Sequence, residues 1–300
     1  MTFKKIFSFI DQYLGFSTTD HILNLFLKMT LVLLLLYMNE TIYLRVFMPV
    51  VLVPGILFHK ILNNKYYWLA LTGIVCFVYL ILDLVIYVPN HKHVYAYALL
   101  GITASFFMKD RVGIFSNIRH QSKVIIGLCF LFATAGKFLA PEFLDASFFK
   151  FTLSTDARFF GILSLIGDLS KDQLLLNESN LKNLVGGSMN PSDSFAILVP
   201  SNIMEIAHFL TYWTIFLEGL IGISFLLPKR FLLSKYRNIL LVVFMVTTYP
   251  IATVAGFAIV LALLGFMQST EDGRLTQFSY FFLLVFILLP LINTPFSQIF

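Results

Sequence analysis

Charge is what this 300-residue chain has least of: Asp, Glu, Lys and Arg together make up 12%, against 58% apolar residues. A soluble domain carries roughly 25% charged residues, so a water-soluble fold is excluded. Cysteine is scarce as well. Cys76 and Cys129 both fall inside apolar runs and read as small buried hydrophobes, which say nothing about redox compartment. Sustained alternation of polar and apolar positions is missing, which excludes a transmembrane barrel. The chain shows no cleavable signal pattern, internal repeat or separate soluble domain. Its net charge of +5 comes from Lys and Arg gathered in a few short loops, so it is not a nucleic-acid signature.

What the chain has is apolar runs of about 20 residues, each long enough to cross the hydrocarbon core as a helix. Mean hydropathy is +0.85. The expected fold is all-α: a polytopic transmembrane helix bundle of about eight spans, with residues 1–300 forming a single membrane domain. The spans are expected at 21–38, 43–61, 66–88, 93–108, 124–140, 202–227, 237–267 and 277–294. The seventh is too long for one simple crossing and holds Pro250 and Gly256, so it is either one kinked helix or a broken pair. Ahead of the first span, residues 1–18 place Phe3, Ile6, Phe7, Ile10, Tyr13 and Leu14 on one face, with Lys4, Lys5, Ser8, Asp11 and Gln12 on the other. That is the period of an amphipathic helix lying in the membrane interface. Ser17 to Asp20, "STTD", offers an N-cap for the first span.

Orientation follows from the basic loops. Lys4 and Lys5, then His59, Lys60 and Lys65, then Lys109, Arg111, Arg119 and Lys123, and then Lys229, Arg230, Lys235 and Arg237 all fall on one side of an eight-span chain. That side is cytoplasmic by the positive-inside rule, so the N-terminus is cytoplasmic. A bacterial cytoplasmic membrane fits better than the endoplasmic reticulum. The opposite side receives "VPNHKH", the outer-face segment 141–201 and "STEDGR"; a broken seventh span would change the side of the C-terminus. In the outer segment, "FLDASFFKFTL" and "RFFGILSLIGDL" read as short amphipathic helices along the interface, and "NESNLKNLVGGSMNPSDS" as a polar loop. Asn39 and Asn177 stand in N-x-S/T sequons.

Ionisable groups within spans are costly, so each is a candidate site. They are Lys28, Asp83, His91, His93, Lys137, Glu205, His208 and Glu218. Asp83, His91, His93, Lys137, Glu205 and His208 come from four spans and share one depth, near the outer surface, whereas Glu218 and Lys28 lie deeper and apart. Simpler readings stand beside this one. Lys137 could snorkel to the headgroups, and His91 and His93 could be solvated. Glu205 with His208, three residues on, could be a structural hydrogen bond. Asp83 and Glu218 read as structural partners, with Lys28 pairing with one of them or snorkelling. A single Glu-x-x-His does not make a metal site, so no metal is expected. The chemical interest lies in Lys137, at the end of "IIGLCFLFATAGKF" with nothing in the run to neutralise it. Desolvation favours a neutral amine, which is a usable general base, and a nearby His could bond a developing oxyanion. Such a pair would suit a lipid-soluble substrate.

Three stretches carry a family resemblance: "HKHVYAYALL" (91–100), "IRHQSKVIIGLCFLFATAGKF" (118–138) and "APEFLDASFF" (140–149). Together they resemble consecutive motifs of the vitamin K-dependent gamma-carboxylases and their bacterial relatives, the horizontally transferred transmembrane (HTTM) domain proteins. His93 with Tyr95 and Tyr97 matches the family's His before Tyr-x-Tyr. Arg119 matches its arginine, and Ala133, Thr134 and Lys137 match its span end. "DHILNLFLKM" resembles the first span, with Lys28 where many relatives carry arginine. The resemblance implies that Lys137 is the base that initiates oxygenation of a reduced, vitamin K-like quinone by O2, with His93 its catalytic helper. His91, Tyr95, Tyr97, Glu205 and His208 are then expected around the substrate, and Lys28, Asp83, Arg119 and Glu218 as structural charges.

The departures set limits. Phe143 stands where tryptophan is expected, Ala146 where glycine is, and Phe244–Met245 where the family carries Phe-His. The large lumenal domain that receives a protein substrate has no counterpart after the membrane part. Peptide carboxylation is therefore not expected, and oxidation or epoxidation of a quinol remains. The expected partners are the bilayer, a lipid-soluble small molecule and a membrane protein partner. Two rival readings are a non-catalytic subunit that binds a lipid or protein, and a transporter using the charges as a proton relay. Paired helix breaks in corresponding halves, which would favour a transporter, are missing.

Overall fold

The computed structural model describes residues 18–38, 41–85, 89–166, 168–186, 197–249 and 254–289, and among them there is no strand. In chain order the helices are α1 (Thr19–Tyr37), α2 (Ile42–Leu57), α3 (His59–Leu62), α4 (Lys65–Asp83), α5 (Asn90–Ser105), α6 (Arg111–Leu139), α7 (Pro141–Leu144) and α8 (Ser147–Thr155). Then follow α9 (Phe160–Ile166), α10 (Lys171–Val185), α11 (Ile203–Leu226), α12 (Leu232–Lys235), α13 (Arg237–Thr248), α14 (Ala255–Gln268) and α15 (Arg274–Leu288). Four of them, α1, α4, α6 and α11, are long and apolar enough to cross a membrane; α2, α13, α14 and α15 are apolar but shorter. The expected interfacial helix at 1–18 lies, but for Thr18, outside the described residues, as does Asn39.

The chain divides into two units, one holding residues up to Ile126 and from Ala255 onward, the other Gly127–Val254. In the first unit α14 is the central helix. Every residue from Ala258 to Gln268 is buried, because a helix apolar on all sides can be enclosed on all sides. It packs against α1, α5 and α15. Gly265 permits the close approach of the fully buried Tyr280, whose ring would lie 2.5 Å from an added Cβ.

Polar bonds tie the helix ends of this unit. Thr18 caps α1 by accepting from the His21 N–H, as "STTD" suggested. Arg111 donates from Nε to Asp20 (3.0 Å), from Nη2 to Asn24 (2.7 Å) and from Nη1 to Asn63. At the other end of α1, the Tyr37 hydroxyl donates to the Gly256 carbonyl at 2.6 Å. The buried Lys92 amine donates to the Tyr37 carbonyl at 2.9 Å.

Several sequence-based boundaries need correction. The basic stretch before residue 124 is helical, because α6 starts at Arg111 and runs for 29 residues. The seventh span, expected as one kinked helix or a broken pair, is two helices, α13 and α14, which belong to different units. Arg119 pairs with Glu271, with the guanidinium also over the Phe115 ring. "STEDGR" therefore lies beside the basic segment of α6.

In the second unit, the segment after α6 builds a small layer of its own. Phe149 and Leu153 of α8, Leu163 of α9 and Leu174 of α10 form one core cluster with Ile203, Ile206, Ala207 and Leu210 of α11. The expected polar loop is helical as far as Val185. Ser170 and Gln173 form a capping box at the start of α10, which satisfies two otherwise orphaned backbone donors. Asn177 is fully buried, donating to the Ser154 and Leu198 carbonyls at 2.7 Å each and accepting from the Leu198 N–H at 3.0 Å. Its amide is a structural clamp, and a glycan on its nitrogen would take one of the two donated hydrogens at a site with no room for a sugar. Ala146, before α8, has φ 64°, a left-handed conformation that glycine adopts without the Cβ penalty. This is the position where the family resemblance expects glycine.

Candidate functional site

Small residues bring α6 and α11 together in the second unit. Gly222 lies so close to α6 that an added Cβ would stand 2.8 Å from the Leu131 backbone nitrogen. Gly127 faces Leu226, and Gly219 faces Thr134. Lys137 is one turn beyond Thr134 and therefore on the same face of α6, while Glu218 adjoins Gly219 on α11. The close crossing thus sets the two ionisable side chains opposite each other.

Lys137 Nζ donates to Glu218 Oε2 at 2.5 Å, and the two side chains are 14% and 9% exposed. The Phe143 ring of α7 lies 5.3 Å from the ammonium nitrogen. Phe143 itself stacks on Phe148 at 4.2 Å and meets Phe149 edge-on, so it is held by the helical layer that follows α6. That layer is pinned at Asp145, whose Oδ1 accepts from the Ser147 N–H at 2.9 Å. Hydrogen bonding from Ser147 holds the Asp145 carboxyl below the usual carboxylate range. On the other flank of the pair, α13 packs against α11, and Phe244 of α13 meets Phe130 edge-on at 4.9 Å. Cys129, half-buried rather than enclosed, and Tyr249, just past α13, lie within electrostatic reach of Glu218.

An ion pair in apolar surroundings gains Coulomb energy but loses hydration, and it persists only where contact and hydrogen bonding are good. The bond also has two protonation arrangements, ammonium with carboxylate or amine with carboxylic acid. In the second, net charge is unchanged and the amine lone pair accepts the Glu218 O–H, so Lys137 can take a substrate proton only once that O–H turns away. Lys137 is thus neither alone nor snorkelled, and Glu218 is its partner rather than a separate deep charge.

The other expected site residues fall into separate groups. In the first unit, His93 Nε2 lies 3.7 Å from Asp83 Oδ1, where the end of α4 meets the start of α5. The His91 ring meets Tyr37 edge-on and lies against Gly256, where an added Cβ would stand 2.5 Å from its Nε2. The Tyr95 hydroxyl donates to the Thr30 carbonyl, so it is already engaged; Tyr97 is exposed. Lys28 is exposed, while Asp83 lies by His93 and Glu218 by Lys137. In the second unit Glu205 is exposed, and His208 turns its Nδ1 to the Met204 carbonyl at 2.8 Å rather than to Glu205. Sequence reading missed Lys92 and Tyr249. Among the described residues no group of three or more His, Cys, Asp or Glu is placed to hold a metal ion.

Compared with protein-family models, with curated proteins and with solved structures, the chain matches none. The functional reading therefore draws on its own residues.

Proposed function

We propose that this chain is an integral membrane enzyme that deprotonates and oxidises a quinol-like, lipid-soluble substrate, with Lys137 as base and Glu218 as its proton partner. The observation that carries this reading is the 2.5 Å contact between the two side chains, made between apolar helices at low exposure. With the proton on Glu218 and that O–H turned from the nitrogen, the Lys137 amine accepts the phenolic proton of the quinol and leaves an ammonium beside the phenolate. The phenolate, richer in electrons than the phenol, is the form that O2 oxidises. Overall one quinol and one O2 give one quinone epoxide and one water. The resemblance to the vitamin K-dependent carboxylases supports the same role for Lys137. The orientation proposed from the basic loops is a cytoplasmic N-terminus, with Lys137 toward the outer leaflet of a bacterial cytoplasmic membrane.

The test is oxygen uptake and quinol consumption by purified protein in nanodiscs, with a reduced short-chain prenyl naphthoquinone as substrate. Loss of a positioned acid–base group costs about 100-fold or more in rate. Lys137→Ala and Glu218→Gln are each expected to show at least that loss. Equal rates in wild type and Lys137→Ala would remove the base assignment and leave the rival reading, a lipid-binding subunit without chemistry.

A further inference from the structure

Helical threonines in this chain ordinarily return their hydroxyls to their own helix. Thr134 donates to the Phe130 carbonyl at 2.8 Å, Thr247 to that of Val243 at 2.8 Å, and Thr214 to that of Leu210. Among the described residues of the second unit, three hydroxyls make no such bond and find no other partner. Those of Thr211, Thr248 and Tyr249 are buried and have no hydrogen-bond partner. A buried polar group left unpaired is costly, so it is retained only where something else gains from it.

Their placement is not scattered. Thr211 is two helical turns before Glu218 and so on the same stripe of α11. Thr248 and Tyr249 close α13, which packs on α11, and the Tyr249 ring meets Phe244 edge-on at 6.1 Å. Of the three, Tyr249 is tied to the α6–α11 crossing through rings: it meets Phe244, which meets Phe130 of α6 edge-on at 4.9 Å, and Phe130 is two turns before Lys137 on one face of that helix. The charge balance around them restricts what could bind. Lys137 and Glu218 sum to zero, and Cys129, Phe143, Thr211, Thr248 and Tyr249 add no charged group. An anionic headgroup would bring an uncompensated charge into this setting. An uncharged head with a hydrogen-bond-accepting oxygen would not.

We propose that Tyr249 is a ligand-binding residue of the Lys137–Glu218 site, its hydroxyl donating to a ring oxygen of an uncharged, quinone-class lipid. This rests on the reading of that ion pair as a substrate site. It adds the group that selects and orients the substrate oxygen next to the base.

The experiment compares wild type with Tyr249→Phe, in nanodiscs, for binding of a short-chain prenyl naphthoquinone and for ligand-free melting. The two readouts move in opposite senses. Removing an unpaired buried hydroxyl leaves melting unchanged or raises it, because nothing bonded is lost. Losing the donor weakens naphthoquinone binding by about tenfold, the usual worth of one buried hydrogen bond. The infrared stretch of a bound ring carbonyl moves up as its hydrogen bond goes. Equal affinity and an unchanged carbonyl stretch in the two proteins would overturn the assignment of Tyr249 while leaving the base reading intact. A lower melting temperature with unchanged affinity would make the hydroxyl structural and overturn it too. If wild type binds no naphthoquinone, both this assignment and the proposed substrate fail. Displacement of the naphthoquinone by phosphatidylglycerol would overturn the requirement for an uncharged head.

Discussion

Glu218→Ala is expected to destabilise the protein by roughly 3–5 kcal/mol, the cost of leaving one member of a buried pair uncompensated. Lys137 would remain between α6 and α11 without its carboxylate, beneath the Phe143 ring that limits its access to water. Lys137→Ala leaves the reverse problem, a buried carboxylate, and is expected to cost a similar amount. The decisive comparison is the double replacement Lys137→Met with Glu218→Leu. Each new side chain approximates the volume it replaces and carries no charge. Such exchanges are often neutral or stabilising, so the double variant should regain most of the loss. Its quinol turnover should not return, because neither proton position survives. Unfolding of the detergent-purified variants measures the first effect, and oxygen uptake the second. If the single and double variants prove equally stable, the pair is not buried in the sense argued here. If the double variant turns over quinol at the wild-type rate, the pair is not the catalytic unit.

The helical, membrane-length character of the chain could be read from the lengths of its apolar runs, because hydrocarbon thickness fixes the length of a crossing helix. The anomaly at Lys137 could be read for the same reason. Its partner could not be read locally, since Glu218 is 81 residues away. A signal did exist. A carboxylate deep in an apolar helix requires a cation, and Lys28 and Lys137 were the lysines available within spans. The helical part of the long outer segment was hidden by its polarity, although Ser170-Lys-Asp-Gln173 is a capping-box spelling visible without coordinates. The start of α6 was hidden because hydropathy averages away a helix that carries its charges in its first turns. Tyr249 was invisible for a different reason. Tyrosine at the end of an apolar helix is ordinary, and only the absence of a partner for its buried hydroxyl sets it apart.

The geometry that brings Lys137 to Glu218 depends on Gly222, and Gly222→Ala tests that dependence. The added methyl would stand 2.8 Å from the Leu131 nitrogen, 3.2 Å from its Cα and 3.3 Å from the Gly127 carbonyl oxygen. These are backbone atoms of a helix, so no side-chain rotation relieves the contact. The two helices must separate or one must bend, and overpacking of this kind costs up to about 3 kcal/mol. Gly127→Ala meets the Leu226 side chain at 2.8 Å, which can turn away, and only Phe225 Cβ at 3.1 Å among fixed atoms, so its effect should be smaller. Gly136→Ala is the control on the same helix as Gly127. Nothing lies within 4 Å of its added methyl. A solvent- or lipid-facing Gly→Ala in a helix gains roughly 0.5–1 kcal/mol in backbone entropy. Melting temperatures should therefore fall in the order Gly136→Ala, wild type, Gly127→Ala, Gly222→Ala. Separation of α6 from α11 also lengthens the Lys137–Glu218 contact, so quinol turnover should fall with Gly222→Ala and persist with Gly136→Ala. A Gly222→Ala protein as stable and as active as the Gly136→Ala control would mean that the close crossing does not set the ion pair.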